Sequence, residues 1–217
     1  MAEDSAVIGR SGSYSTGVAR RREILDRAIE VFAERGSDGA SLRQIAKAIG
    51  VSHTALLHYF DSREQLLVAV YEHAEWTRGE THPWPAEATA VDRLVRAATE
   101  NVKVPGLVQL YSTLVATALA EESGASKEFF TRRFEVTREN IAAWLRRDQA
   151  LGLVREDVDA DMIAAMLVAA SDGLQTQWLL DSSVSLIETL RAFDALLSPC
   201  PGAAADRPEP ADAPDRD

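Results

Sequence analysis

Residues 41–66 read SLRQIAKAIGVSHTALLHYFDSREQL, and this stretch decides the fold. Apolar residues recur at three- and four-residue spacing on both sides of Gly50, which predicts two short amphipathic helices joined by a tight turn. Ser52 suits the N-cap of the second helix, because a serine hydroxyl accepts a hydrogen bond from a free backbone N–H. The spacing is that of a helix-turn-helix, although an ordinary antiparallel helix pair in a bundle shares it.

In a helix-turn-helix, apolar side chains fix the angle between the helices and leave the outward face of the second helix free to enter a major groove. The apolar set in this stretch is Ile45, Ile49, Val51, Leu56 and Phe60. On the 3.6-residue period, the outward face carries His53, Thr54, Leu57 and His58. We expect His53 and Thr54 to contact base edges, since polar side chains near a helix N-terminus suit major-groove readout.

The rest of the chain also predicts helices, beginning with one from about Arg20 to Arg35. A second S-x-x-Q capping pattern, Ser62 with Gln65, opens a long fourth helix, as Ser41 with Gln44 opens the second. We therefore expect an all-α fold of about nine helices. The expected parts are a flexible arm (1–19), a three-helix helix-turn-helix domain (20–67), a larger helical ligand-binding and dimerisation domain (68–198) and a disordered acidic tail (199–217).

Charge divides the chain into two parts. The formal net charge of the 217 residues is -11, yet residues 1–67 carry nine Lys/Arg and nine Asp/Glu, so the acidic excess lies in residues 68–217. Only the first part is suited to approach phosphate. A single cysteine, Cys200, excludes an internal disulfide. No apolar run reaches membrane-span length, so we expect a cytoplasmic protein without membrane contact.

Residues 20–70 resemble the DNA-binding domain of the TetR family. The shared features are a Ser-Leu-Arg-x-Ile-Ala helix, a Gly-Val-Ser turn, a recognition helix ending in an aromatic-Phe pair, and the phrase Asp61-Ser62-Arg63-Glu64-Gln65-Leu66 at the start of the fourth helix. The resemblance implies a homodimeric transcriptional repressor that binds palindromic double-stranded operator DNA and is released by a small-molecule effector.

The resemblance also assigns roles to individual residues. It implies that Ser41 and Arg43 begin a helix lying across the DNA backbone and that Arg63 contacts phosphate at a helix N-terminus. The residues it places against the groove are Ser52, His53, Thr54 and His58. The family usually has Tyr where this chain has Leu57 and His where it has Tyr59, so the phosphate contact expected from the former phenol is absent. Two alternatives stay open: Tyr59 compensates, or the site relies more on apolar contact with thymine methyls. The preceding run, Arg20-Arg21-Arg22, can neutralise phosphates or be an ordinary solvated charge run, and both readings stay open.

A candidate effector site lies in residues 106–120, which carry no charged side chain. Gln109, Thr113 and Thr117 form a polar stripe with Ser112 beside it, and such a stripe in a buried helix lines a cavity unless its hydroxyls bond back to their own helix. Further pocket residues are expected among Tyr111, Phe134, Trp144 and Gln175. A stripe without Lys or Arg favours a neutral or cationic effector.

The last two helices carry more apolar residues than one core-facing stripe requires, which predicts a subunit interface. The residues expected there are Leu174, Trp178, Leu186, Leu190 and Phe193. In the TetR family such helices form a two-fold four-helix bundle, which places the recognition helices ~34–36 Å apart.

Two other functions compete with DNA-dependent regulation. A helical enzyme would need converging titratable groups, and the sequence shows no nucleophile elbow, phosphate-binding loop, dinucleotide fingerprint or metal-ligand spacing. We therefore expect no catalytic residue, metal or cofactor. A helical small-molecule-binding module without operator binding is the remaining alternative, and salt-sensitive binding to duplex DNA distinguishes the two.

Overall fold

The computed structural model describes residues 11–35, 42–81 and 85–199. Within these ranges every regular element is an α-helix, which confirms the all-α prediction. The described helices are α1 (Ser11–Arg35), α2 (Leu42–Ala48), α3 (His53–Tyr59), α4 (Arg63–Thr81), α5 (Ala90–Asn101), α6 (Pro105–Ala120), α7 (Ala125–Ala150), α8 (Ala160–Leu180) and α9 (Leu186–Leu197).

The first helix differs most from its prediction, since α1 begins at Ser11 rather than near Arg20. No proline lies between these two residues. Extending a helix that already exists requires no new nucleus, so weak periodicity is enough. Part of the predicted flexible arm is therefore helical. Ser41, with its predicted cap, and the tail from Cys200 onward lie outside the described residues.

The chain packs as two compact units. The first unit comprises the described residues up to Pro85 together with Thr99–Phe134, and the second comprises Ala86–Ala98 and the described residues from Glu135 onward. In the first unit α1 packs on α2, α4 and α6, and α3 packs on α2. Its largest fully buried side chains are Phe32, Ile45, Leu56, Phe60, Leu66, Val70, Leu110 and Leu114. The functional boundary at residues 67 and 68 stays a prediction.

In the second unit a buried carboxylate fixes the start of α5. Asp148 of α7 is fully buried, and its Oδ2 accepts a hydrogen bond of 2.8 Å from the backbone N–H of Ala90. Its Oδ1 accepts one of 2.6 Å from Nη2 of Arg147. The same guanidinium donates to the carbonyl oxygen of Ala86 through Nη1 and to that of Ala88 through Nη2. One charged pair thus holds both the segment before α5 and the first turn of that helix.

Two further contacts complete the polar frame of the second unit. Thr89 and Asp92 cap α5 reciprocally, since each backbone N–H donates to the other's side-chain oxygen at 3.1 Å. Asp92 also accepts from Arg191 of α9 at 2.6 Å. That hydrogen bond, together with those from Thr89, lowers the pKa of Asp92 below its ordinary value. Helix α9 packs on α8.

Candidate DNA-binding surface and effector region

The turn between α2 and α3 is closed by backbone geometry. Gly50 has a φ of +72°, a left-handed conformation that favours glycine. The N–H of Val51 donates to the carbonyl of Ala46 at 2.9 Å, which ends α2. The hydroxyl of Ser52 then accepts from the N–H of Ala55 at 3.0 Å, which confirms it as the N-cap of α3.

The predicted packing between the two helices is present. Ile45, Leu56 and Phe60 are fully buried, and Ile49 and Val51 pack beside them in half-buried positions. Since one side of α3 is held in this core, the opposite side is fixed toward solvent.

The outward side of α3 carries most of the predicted groove residues. Thr54, Leu57 and His58 are exposed, whereas His53 is half-buried. Tyr59 is also half-buried and packs against the core, with its ring edge-on to His58 at a centroid distance of 5.6 Å. Part of the Tyr59 side chain is therefore covered by the core, and less of its phenol is accessible to a phosphate. The side chain of Leu57 is apolar and cannot bind a phosphate in its place.

The first turn of α4 is capped as predicted. The N–H of Gln65 donates to the hydroxyl of Ser62 at 3.0 Å, and the side-chain oxygen of Gln65 accepts from the N–H of Asp61 at 2.7 Å. These bonds place exposed Arg63 as the first residue of a 19-residue helix. A cation there lies beside free N–H groups, an arrangement suited to phosphate.

The remaining predicted basic residues are accessible, but the arginine run also makes contacts within the chain. Arg43 is exposed on α2. Arg20 forms an ion pair with Glu23 of the same helix. The guanidinium groups of Arg21 and Arg22 lie 4.9 Å from the ring centroids of Phe60 and Trp76, respectively. Contact of this run with phosphate stays a prediction, as does that of Ser41, which lies outside the described residues.

The hydroxyl groups of the polar stripe of α6 form hydrogen bonds within their own helix. The hydroxyls of Ser112, Thr113 and Thr117 donate to the carbonyl oxygens four residues earlier, at 2.9–3.1 Å. Thr113 is exposed, and Gln109 and Thr117 are half-buried. Bonding of the hydroxyl groups to their own helix was the alternative that the sequence left open. Because their hydrogen bonds are made in this way, these hydroxyl groups do not require a cavity.

Tyr111 and Phe134 instead belong to an aromatic cluster that the sequence did not predict. The cluster consists of Tyr71, Tyr111, Phe129, Phe130 and Phe134, with neighbouring ring centroids 5.0–6.2 Å apart. Two charged side chains, Glu75 and Arg133, adjoin the tyrosines. Tyr71 and Glu75 are four residues apart on α4, as are Phe130 and Phe134 on α7; this spacing was the available signal.

The surroundings of Tyr71 and Arg133 determine the protonation states of both side chains. Burial raises the pKa of the Tyr71 phenol well above its ordinary value, and the Glu75 carboxylate adds to that shift. Burial also opposes the charge on Arg133, but the hydrogen bonds to the Glu75 carboxylate and its negative charge outweigh burial, so the pKa of the guanidinium lies above its ordinary value. At neutral pH the site therefore holds a protonated phenol and a permanent cation.

The other two predicted effector residues belong to the second unit. The guanidinium of Arg93 lies 4.7 Å from the ring centroid of Trp144. Gln175 is buried and donates to the carbonyl oxygen of Ser171 at 3.3 Å. Their role in effector binding stays a prediction.

The predicted interface residues divide into two groups. Leu174, Trp178 and Phe193 are half-buried, whereas Leu186 and Leu190 are only 2% and 1% exposed. The structure corrects the assignment of the latter pair, because both side chains already form the core of the protomer and have no surface left for a partner. The large apolar side chains that α8 and α9 do expose are Met162, Met166, Leu180 and Leu196.

Two properties of the described residues bear on other functions. No group of three or more His, Cys, Asp or Glu side chains in those residues is arranged to hold a metal ion. None of the described helices is by itself long and apolar enough to cross a membrane, and the consecutive helices α5 and α6 reach that length and composition only when taken together.

Known proteins identify the family. Residues 24–70 match the model of the bacterial regulatory proteins of the tetR family. The HTH-type transcriptional repressor Rv1474c of Mycobacterium tuberculosis is 30% identical over 158 residues, which are 72% of this chain and 80% of that protein. The chain belongs to the TetR family.

Other members show the same relationship over most of their length. The HTH-type transcriptional regulator BetI of Rhizobium meliloti is 30% identical over 178 residues, covering 78% of this TetR-family chain and 82% of BetI. A TetR transcription regulator from Haloarcula marismortui has the same fold, with a TM-score of 0.67 at 21% identity over 82% of this chain and 96% of that one. The TetR family consists of DNA-binding transcription regulators rather than enzymes.

Proposed function

We propose that this TetR-family regulator is a cytoplasmic repressor that binds palindromic operator DNA as a homodimer and leaves it when a small molecule binds. The observation that carries the proposal is that α3 is capped at its start and packed against the core on one side only. Its N-cap is formed by Ser52, its inner side is held by Leu56 and Phe60, and its outer side presents Thr54 and His58. A rigid helix with polar groups on its free face is what major-groove readout requires.

Dimerisation is supported by the exposed apolar side chains of α8 and α9. Met162, Met166, Leu180 and Leu196 are each more than half exposed in the isolated protomer. Burying such a surface in a second copy removes it from water and pairs two recognition helices for a palindromic site.

The test compares variants on an operator recovered from genomic DNA with the purified full chain. We expect His53→Ala and Thr54→Ala each to weaken operator binding by about 1–3 kcal/mol, as the removal of one base contact does. Thr131→Ala, which removes an exposed threonine of α7, is the matched control and should bind like wild type. Fluorescence anisotropy across a salt series measures affinity and its salt dependence.

Unchanged affinity in both α3 variants would refute the assignment of the groove-facing side. If no salt-sensitive binding to duplex DNA is found for the wild type, the chain is a helical small-molecule-binding module instead.

A further inference from the structure

A guanidinium group occupies the aromatic cluster of the first unit. Cζ of Arg133 lies 5.2 Å from the ring centroid of Tyr111 and 5.6 Å from that of Tyr71. Both tyrosines are buried. A cation within about 6 Å of two aromatic rings is attracted by the negative faces of both.

A carboxylate completes the surroundings of this cation. Glu75 accepts from Nη2 of Arg133 at 2.6 Å and from Nε at 3.1 and 3.2 Å. The phenol of Tyr71 donates to the same carboxylate at 3.1 Å. This last bond does not involve Arg133, so the carboxylate keeps one anchor when the guanidinium leaves.

The rings are also held without Arg133. Tyr71 and Tyr111 are 5.4 Å apart, and Phe130 meets Tyr111 edge-on at 5.3 Å. We call Tyr71, Tyr111 and Glu75 the cation receptor. Two supported aromatic rings and one fixed carboxylate form a preorganised site for an organic cation, whichever molecule supplies it.

The occupant has a route to solvent. The side chain of Arg133 is 22% exposed and that of Glu75 34% exposed. Arginine has a flexible stem that can remain on apolar surface while its charged head moves into water. Exchange of the internal cation for an external one therefore requires no opening of a sealed core.

We propose that the cation receptor binds the effector, a small organic cation with an alkylammonium or alkylguanidinium head, and that Arg133 is an internal occupant which the effector displaces. This inference rests on the proposed function and names its ligand class. It agrees with the absence of Lys and Arg from residues 106–120, which supply Tyr111.

Displacement acts directly on the helix that leads to the DNA. Glu75 lies on α4, whose first residue is Arg63. The bond between Glu75 and Arg133 ties α4 to α7, and a second tie joins Glu64 of α4 to the N–H of Ser126 at 2.6 Å. When the bond between Glu75 and Arg133 is lost, the bond from Ser126 to Glu64 still holds α4 to α7. Because Glu64 lies at the DNA-proximal end of α4, the helix can pivot there. A coupling typical of allosteric proteins changes operator affinity about 5- to 150-fold.

The binding test uses the full chain in isothermal titration calorimetry at constant ionic strength. The probes are ethylguanidinium and tetramethylammonium, with tert-butanol as the neutral counterpart. We expect the wild type to bind both cations saturably and tert-butanol not at all. Arg133→Ala removes the internal competitor and should bind the cations at least about tenfold more tightly. Glu75→Gln should weaken binding at least about tenfold.

Arg132→Ala is the matched control, because it removes a neighbouring but exposed arginine and should bind like wild type. Circular dichroism checks that each variant is folded, and Arg133→Gln replaces Arg133→Ala if the latter is not. Absence of cation binding in the wild type overturns the proposal. If only the Arg133 variants bind the cations, the proposal is also overturned. In that case the effector cannot displace Arg133, which is then a permanent structural group.

Operator affinity with and without tetramethylammonium, compared with equimolar sodium chloride, separates this inference from the proposed function. Weaker operator binding in the wild type but not in Glu75→Gln supports the effector role. Cation binding without any change in operator affinity overturns that role while operator binding stands. A chain that binds the cations and no operator loses the proposed function, and with it the effector role.

Discussion

Replacing Asp148 with alanine should remove two contacts at once from the second unit. The carboxylate is fully buried and accepts hydrogen bonds from the N–H of Ala90 and from Arg147. Losing the hydrogen bond from the N–H of Ala90 costs about 1 kcal/mol. Breaking a buried ion pair costs about 3–5 kcal/mol, and the lower end applies because the remaining Arg147 side chain is one-third exposed and can rehydrate. We expect a total loss of about 4 kcal/mol in the free energy of unfolding.

The assay is urea unfolding followed by circular dichroism at fixed protein concentration, with a thermal scan as a second measurement. The expected loss corresponds to a drop of about 8–16 °C in Tm for a chain of this size. Asp148→Asn keeps an oxygen that can accept from Ala90 and should lose only about 1–2 kcal/mol. Asp157→Asn, which removes an exposed partner of Arg155, should leave the unfolding midpoint unchanged. If Asp148→Ala also leaves it unchanged, the buried carboxylate does not hold α5 as described.

Two further predictions concern pH and assembly. Because Arg191 and Thr89 lower the pKa of Asp92, the stabilisation by this carboxylate is present above the unfolded-state pKa of about 3.9 and is lost as the pH falls through the lower folded value. The difference in unfolding free energy between wild type and Asp92→Asn should therefore shrink below about pH 4, and a pH-independent difference in urea titrations would contradict this. Met166→Arg changes a side chain that is 58% exposed and should give folded monomers in sedimentation, whereas Leu190→Arg places a charge in the protomer core and should reduce helical content. A folded, dimeric Met166→Arg would refute the interface at this face.

Local patterns were sufficient where a feature depends on neighbours in the sequence. Ser52 and Ser62 cap their helices because the partner N–H lies three residues ahead, a distance that the sequence displays directly. The buried side of α3 followed from the 3.6-residue period in the same way, as Leu56 and Phe60 show.

Features that depend on contacts between distant segments were not predictable in this way. Glu75 and Arg133 are 58 residues apart, and the sequence around either residue does not indicate that the other is its partner. Leu190 looked available for a partner because apolar periodicity reports that a face is buried, not whether its own chain or another copy buries it. The hydroxyl of Thr113 had two possible partners, and only the structure shows that it bonds to Gln109 of its own helix.

The core of the first unit affects how regulators of this kind can be recombined. The same cluster of buried side chains includes Phe32 of α1, Leu56 of α3, Leu110 of α6 and Phe130 of α7. A fragment cut at residue 67 or 85 would leave the apolar faces of α1 and α4 without the helices that cover them. Chimaeras that join a foreign helix-turn-helix domain to the rest of this chain must therefore match the surfaces of α6 and α7 as well as the junction. If α3 reads the operator as proposed, DNA specificity is more safely changed by exchanging only the exposed residues of α3, such as Thr54 and His58.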